Sequence, residues 1–219
     1  MKNQLSKSQT AEVFSAENML FTTGILGFFL PFILFFVAQF SSCATLQNSI
    51  STYYYTNVSD LFVGILSTIA IMFFCYNGYD IQDKIATWIA SISTLGIAIF
   101  PTSNDATCGL CDQTNIALIP SLHFAFAGIL FSTLAYMCLF LFTKSNGNPS
   151  PSKLRRNLIY KICGGTILVM IIFLICYWKI DGIQFKIGSA KPIFFAETMM
   201  LMAFGFAWLV KGELKWFKD

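Results

Sequence analysis

The stretch that decides the fold is residues 19–40, MLFTTGILGFFLPFILFFVAQF, which carries no charged side chain. An α-helix needs roughly 20 apolar residues, at 1.5 Å rise each, to cross the hydrocarbon core of a bilayer. This stretch has that length and is longer than the apolar part of a cleavable signal peptide. Because the mostly polar residues 1–18 precede it, the pattern predicts a retained first transmembrane helix.

The same apolar pattern recurs along the rest of the chain. The six predicted spans are residues 19–40, 61–79, 81–100, 123–142, 162–178 and 192–210. The composition agrees, since 56% of the residues are hydrophobic and only 11% are charged, whereas soluble domains carry about 25% charged residues. The small net charge of +3 does not indicate a nucleic-acid partner. We therefore predict an all-α fold, a polytopic bundle of six transmembrane helices that forms one domain over residues 1–219 of a multi-pass cell-membrane protein.

The Lys and Arg residues predict the orientation of this bundle. With the N-terminus inside, only three of the 14 Lys and Arg residues lie outside, namely Lys179, Lys186 and Lys191. Positively charged residues accumulate in cytoplasmic loops. Both termini and the main basic loop, residues 144–161, are therefore predicted to be cytoplasmic. The Pro, Ser and Gly residues of that loop indicate a turn-rich linker, whose basic end would lie against anionic head groups.

Small residues predict close contacts between the helices. Helix 3 carries them at four-residue spacing, as Ala86, Ala90, Thr94 and Ala98. Helix 4 carries a similar face, made of Ala125, Gly128, Ser132 and Ala135. Such faces let another helix approach closely. They predict a compact bundle, and they also permit helix–helix association between copies of the chain, with membrane lipids as the other partners.

Three ionisable residues are predicted to lie at one depth, near the outer ends of their helices. Asp60 opens helix 2, the only histidine, His123, opens helix 4, and Glu197 lies five residues into helix 6. Asp60 could simply cap its helix, and His123 could be a satisfied boundary residue. Glu197 differs, because an ionisable group inside a span is costly and should face a polar cavity or a partner such as His123 or Lys191.

We therefore predict that His123 and Glu197 share one outward-facing cavity, with Asp60 close by. These three are the candidate catalytic residues, and in an enzyme His123 would be the general base, with the carboxylates orienting it. Tyr53, Tyr54 and Tyr55 precede helix 2 and fit an interfacial aromatic belt. Alternatively they line the mouth of the cavity, which makes them candidate ligand-binding residues.

Three cysteines, Cys43, Cys108 and Cys111, lie in predicted outer loops. Cys108 and Cys111 form a C-x-x-C motif, but thioredoxin-like chemistry needs a βαβ setting that this sequence lacks. A zinc site would need two more ligands than the motif supplies, so no metal site is predicted. Outer loops face an oxidising compartment in most cells, so we predict a structural disulfide among these cysteines. No phosphate-binding glycine loop is present, and the cofactor stays unknown.

Four short stretches carry a family resemblance: residues 48–56 (NSISTYYYT), 60–64 (DLFVG), 97–102 (IAIFPT) and 123–131 (HFAFAGILF). Their order resembles that in uncharacterised bacterial multi-pass proteins distantly similar to the damage-regulated autophagy modulator (DRAM-like) family. That family also includes Golgi proteins of GPI-anchor lipid remodelling. The resemblance covers residues 19–142 best. It implies a six-helix fold and a role near lipids, and it implies no reaction.

The leading functional prediction is a membrane protein that binds or handles a lipid or small amphiphile in the outer half of the bilayer. A second hypothesis is a small proton-coupled transporter in which Glu197 is the titrating group. A third is a structural or regulatory membrane protein without catalysis, in which every polar residue has only a structural role. The sequence leaves open whether a reaction is catalysed.

Overall fold

The computed structural model describes residues 16–40, 44–78, 80–106, 118–145, 147–180 and 188–212. Within these ranges the chain is helical and forms no β-strand, as the all-α prediction requires. The long helices are α1 (Ala16–Gln39), α2 (Ser59–Cys75), α3 (Ile81–Ile99), α4 (Leu118–Tyr136), α5 (Pro151–Lys179) and α6 (Pro192–Lys211). A π-helical turn, Met137–Leu141, continues α4, and short 3₁₀ helices cover Ser51–Tyr55 and Gly188–Ala190.

Four of these helices, α1, α4, α5 and α6, are long and apolar enough to cross a membrane. The helix α2 is also apolar, but its 17 residues span only about 26 Å. The helix α3 is more polar, since it contains Asp83, Lys84 and several hydroxyl side chains. The four long apolar helices support a membrane protein, whereas the number of six crossings stays a prediction.

The long helices alternate in direction, so the bundle has two distinct ends. One end, named the cap end here, holds residues 44–58 and the starts of α2, α4 and α6. It is closed by contacts such as the one from the Phe194 backbone N–H to the Asn48 carbonyl oxygen, at 3.1 Å. The other end, named the basic end, holds Lys144 and the first turns of α5.

The first and last long helices, α1 and α6, approach closely because glycines lie at their crossing. A Cβ atom on Gly205 would lie 2.5 Å from the backbone nitrogen of Phe28 and 2.7 Å from the carbonyl oxygen of Gly24. A Cβ atom on Gly27 would lie 2.4 Å from the ring of Phe204. Small residues at helix crossings allow the backbone contact that drives association in lipid. The close crossing of α1 and α6 therefore depends on the absence of a side chain at these glycines.

The small-residue face predicted for helix 3 is confirmed as a packing surface. Its four members are all buried: Ala86, Ala90, Thr94 and Ala98. The helix α3 packs against both α2 and α4. On the side of α2, the Ser91 hydroxyl donates to the Ala70 carbonyl oxygen over 2.8 Å.

The corresponding small-residue face of α4 is packed only at its C-terminal end. Ala135 is buried, but Ala125, Gly128 and Ser132 are exposed. A Cβ atom added to Gly128 would meet no atom within 4 Å. The prediction that this whole face packs against a helix is therefore wrong, and part of the face borders a cavity instead.

An aromatic cluster fills the half of the bundle nearer the basic end. Trp208 of α6 is 1% exposed, and its ring centroid lies 4.8 Å from that of Phe142, 5.0 Å from Phe204 and 5.3 Å from Phe73. Phe142 also meets Tyr160 of α5, at 5.4 Å. These rings join the ends of α2, α4, α5 and α6 into one rigid core.

The prediction of a linker over residues 144–161 is wrong for its second half. The helix α5 begins at Pro151, with Ser150 as the N-cap whose hydroxyl oxygen accepts the Lys153 backbone N–H at 3.2 Å. Proline is favoured at the first helical position because it has no N–H to satisfy there. The Ser-Pro pair is thus a helix start rather than a turn. The helix α4 also begins earlier than predicted, at Leu118, so His123 lies in its second turn.

Candidate functional site

A cavity of 340 Å³ lies between α4, α5 and α6 in the half of the bundle nearer the cap end. Its lining comprises His123, Phe124, Ala127, Gly128, Phe131 and Ser132 of α4, Ile171, Leu174, Ile175 and Trp178 of α5, and Glu197 and Met200 of α6. Most of these side chains are apolar. The ionisable members are one imidazole and one carboxylate, so the cavity is apolar with one polar end.

His123 and Glu197 both line this cavity. Each is also bound to a backbone group near the cap end, His123 to the carbonyl oxygen of Phe100 and Glu197 to the N–H of Ile50. The structure thus brings these two predicted site residues to one cavity.

The ring of His123 has a fixed orientation. The residue is 2% exposed, and its Nδ1 lies 2.7 Å from the carbonyl oxygen of Phe100. Phe100 follows the last turn of α3, where carbonyl groups lack helical partners. A carbonyl oxygen can only accept, so Nδ1 carries the proton and donates it. In the neutral ring Nε2 is then the acceptor nitrogen.

The carboxylate of Glu197 is bound by the backbone of the cap end. Its Oε2 accepts the N–H of Ile50 at 2.6 Å, immediately before the 3₁₀ helix Ser51–Tyr55. The partner of Glu197 is therefore a backbone donor, not His123 or Lys191 as predicted. Glu197 also lines a smaller cavity of 40 Å³ beside Ile50 and Ser51. Glu197 therefore lies between the cavity of 340 Å³ and the backbone of the cap end.

Asp60 does not reach this site. Its residue is exposed in the first turn of α2, and it is not among the residues that line the cavity. An acidic side chain in a first turn complements the positive end of the helix dipole, which is a sufficient role. The prediction that Asp60 lies close to His123 and Glu197 is therefore wrong.

The three tyrosines form part of the cap end instead of the mouth of the cavity. Tyr53 is fully buried, with its ring 6.5 Å from that of Phe194. The Tyr55 hydroxyl donates to the Thr102 carbonyl oxygen at 2.5 Å, and burial raises the pKa of this phenol, which keeps the donor proton in place. Tyr54 is partly buried and meets the Tyr55 ring edge-on. None of the three lines the cavity.

Two functional candidates were missed by the sequence analysis. Phe124 and Trp178 are each 44% exposed, line the cavity, and form an edge-to-face pair with ring centroids 5.3 Å apart. Ile175 beside them is 52% exposed. The cavity therefore opens sideways, between α4 and α5, with an aromatic pair at its rim. In the sequence, both aromatic residues look like ordinary lipid-facing or interfacial side chains.

A third missed residue is Asp105, which holds the cap end together. Its Oδ1 accepts from the Thr52 hydroxyl at 3.1 Å and its Oδ2 from the Asn48 side-chain amide at 3.2 Å.

Cys43, Cys108 and Cys111 lie outside the described residues, so the disulfide stays a prediction. Within the described ranges, no group of three or more His, Cys, Asp or Glu side chains could hold a metal ion.

The fold and the cavity together define a class: a helical membrane bundle with a laterally open, apolar pocket. Comparison of the chain with protein-family models, curated proteins and solved structures finds no significant match. The resemblance to the DRAM-like family therefore stays a prediction. The cavity is the structural feature that bears on the function.

Proposed function

We propose that this protein is a multi-pass membrane protein that binds a lipid or small amphiphile in the cavity between α4, α5 and α6. The observation that carries the proposal is the arrangement of the lining. Apolar side chains surround most of the space, and His123 and Glu197 lie at one end. An apolar tail can occupy the first part, while a polar head group contacts the imidazole and the carboxylate.

The size and opening of the cavity fit this class of ligand. Its 340 Å³ is near the lower end of the range of about 300–1,000 Å³ found for small-molecule sites. The space suits a small amphiphile, or one part of a larger lipid. Because the opening lies between α4 and α5, a ligand already dissolved in the bilayer enters sideways, past Phe124 and Trp178. Passage through water is not required.

A proton-coupled transporter is less well supported by the same residues. Such a carrier needs a path from its titrating group to both sides of the membrane. Between the cavity and the basic end, the rings around Trp208 pack at centroid distances of 4.8 to 5.3 Å. Glu197 is moreover engaged with the backbone of Ile50. These contacts favour binding over transport, and no catalysed reaction is proposed.

Filling the cavity provides the test of ligand binding. Gly128→Leu places a side chain in the cavity from a position where a Cβ atom meets nothing within 4 Å, and Gly165→Leu is a matched control in α5 with equally open space outside the lining. Both variants are reconstituted in nanodiscs and labelled with a photoactivatable C16 alcohol, whose hydroxyl group can donate to a carboxylate.

We expect labelling of the cavity-lining segments of α4 and α5 to fall at least about tenfold in Gly128→Leu, which corresponds to about 1.4 kcal/mol of binding. Gly165→Leu should label like the unmodified chain. Mass spectrometry of the digested protein locates the label. Equal labelling of these segments in both variants would contradict the proposed ligand site.

The proposed orientation places the basic end in the cytoplasm and the cap end outside, with all six long helices crossing the membrane. The bias of the Lys and Arg residues supports it. A cysteine introduced at Asn148, in a background without native cysteines, should resist an impermeant thiol reagent added to intact cells. Ala44→Cys at the cap end is the control and should react. The reverse pattern of labelling would show the opposite orientation.

A further inference from the structure

A second cavity, of 590 Å³, lies at the basic end, away from His123 and Glu197. Its lining includes four cationic side chains from three parts of the chain, namely Lys144, Lys153, Arg156 and Lys211. The carboxylates that line it are Asp80 and Asp83. Cations thus exceed carboxylates by two around one open cavity, which favours an anionic ligand.

Two of the cations are held in position by one residue, Phe142. The ammonium group of Lys153 donates to the Phe142 carbonyl oxygen at 2.7 Å, and the ammonium group of Lys211 lies 5.2 Å from the centre of the Phe142 ring. Phe142 is itself packed against Trp208 and Tyr160. Lys153 has three N–H donors, and the carbonyl uses one of them. The rigid aromatic core therefore presents these charges without further ordering.

The start of α5 adds to the positive potential. Ser150, its N-cap, lines the cavity, and the helix continues for 29 residues. The N-terminus of a helix carries partial positive charge and unsatisfied N–H groups, which favour phosphate and other anions. The helix end and the four side chains act on the same space.

The outer face of the same turns of α5 points to a membrane lipid as the source of the anion. Leu154 is 55% exposed and Leu158 61% exposed, one helical turn apart. In the π-helical turn that continues α4, Phe140 is 60% exposed. Large apolar side chains are thus exposed at the level of the cationic cavity. This combination of apolar and basic surfaces is typical of the boundary between acyl chains and head groups.

We propose that the cavity at the basic end binds the phosphate-bearing head group of an anionic membrane lipid, with Lys144, Arg156 and Lys211 around the phosphate and Lys153 as the preordered donor. The acyl chains lie against Leu154 and Leu158. This proposal does not depend on the ligand of the other cavity.

Asp80 regulates the charge available at this site. Its Oδ2 lies 2.7 Å from the ammonium group of Lys144, and this contact lowers the pKa of Asp80 and raises that of Lys144. Asp80 also caps α3, since its Oδ1 accepts from the backbone N–H groups of Gln82 and Asp83. Asn is as good an N-cap as Asp, so Asp80→Asn keeps the helix start and removes the negative charge beside Lys144, which retains its contact with Oε1 of Gln82 at 2.8 Å.

The test compares the full-length protein and three variants in nanodiscs. Arg156→Gln removes a cation that lines the cavity, and Arg155→Gln removes the same charge from the neighbouring position, which is exposed and outside the lining. Asp80→Asn removes a carboxylate. The discs contain phosphatidylcholine with increasing fractions of phosphatidylglycerol, and native mass spectrometry measures the fraction of protein that retains phosphatidylglycerol. A separate series adds inorganic phosphate to pure phosphatidylcholine discs.

We expect Arg156→Gln to weaken retention of phosphatidylglycerol about fivefold, because one direct hydrogen bond to the phosphate is lost. Arg155→Gln should change it less than twofold, and Asp80→Asn should strengthen it. Equal losses for Arg155→Gln and Arg156→Gln would mean that only the general surface charge acts, which overturns the site. Tight binding of inorganic phosphate that depends on Arg156 and displaces the lipid would overturn the assignment to a lipid.

Discussion

Gly205→Leu is expected to separate α1 from α6 and to lower the melting temperature of the purified protein by roughly 10 °C. The atoms that a Cβ would meet are backbone atoms, the nitrogen of Phe28 and the carbonyl oxygen of Gly24. Backbone atoms cannot rotate away, so the helices must move apart. Overpacking costs about 1–3 kcal/mol and more where relief is impossible, and close packing is what associates helices in lipid. Thermal unfolding in detergent measures the loss.

The matched control for this prediction is Gly165→Leu. Gly165 also lies within a helix, but a Cβ atom there would meet nothing within 4 Å. Leucine has a better helix propensity than glycine by about 0.5–1 kcal/mol, so the melting temperature of this control should not fall. If Gly205→Leu melts at the same temperature as Gly165→Leu, the close crossing of α1 and α6 is refuted.

Substitutions of Glu197 should separate its structural role from its role in the cavity. Glu197→Ala leaves the N–H of Ile50 without its acceptor, which costs about 1–3 kcal/mol for a buried donor. Hydrogen exchange of the amides at 50–56 should therefore accelerate, and labelling by the photoactivatable C16 alcohol should fall at least about tenfold, an effect of about 1.4 kcal/mol. Thermal unfolding and exchange mass spectrometry measure the first effect, and the labelling assay the second.

Two conservative variants of Glu197 separate the effect of its charge from the effect of its side-chain length. Glu197→Gln keeps an oxygen for the Ile50 N–H, so stability should fall by only about 1 kcal/mol, whereas labelling by the C16 alcohol should still fall if the carboxylate contacts the ligand. Glu197→Asp keeps the charge but is shorter by one methylene group, so the contact with Ile50 should weaken. Unchanged labelling in a folded Glu197→Gln protein would show that the carboxylate serves only to hold the cap end.

The sequence predicted one cavity for three ionisable residues, and two of them, His123 and Glu197, line the same cavity. Position along a helix predicts depth in the bilayer, and that is what the sequence shows for all three residues. A helix also has a direction around its axis, and Asp60 is exposed. Which direction faces a neighbour depends on the order of the helices, and that order is not encoded in the spacing of one residue type.

The partners of the polar residues were equally beyond the sequence. Glu197 is bound by Ile50, which lies 147 residues away in the chain, and His123 by the carbonyl group of Phe100, 23 residues away. Both partners are backbone groups, which every residue carries. A backbone partner therefore produces no recognisable sequence pattern. The ionisable side chains of His123 and Lys191 do, and for that reason they were predicted as partners of Glu197.

The amino-acid sequence was sufficient to predict a membrane protein, because bilayer thickness sets the length of an apolar run and a soluble surface needs more charge. It was also sufficient to predict the packing face of α3, since small residues at four-residue spacing necessarily lie on one side of a helix. The partly open face of α4 could be found only in the folded bundle. Packing depends on what the neighbouring helix presents, and opposite Gly128 the lining of α5 and α6 leaves the space that forms the cavity.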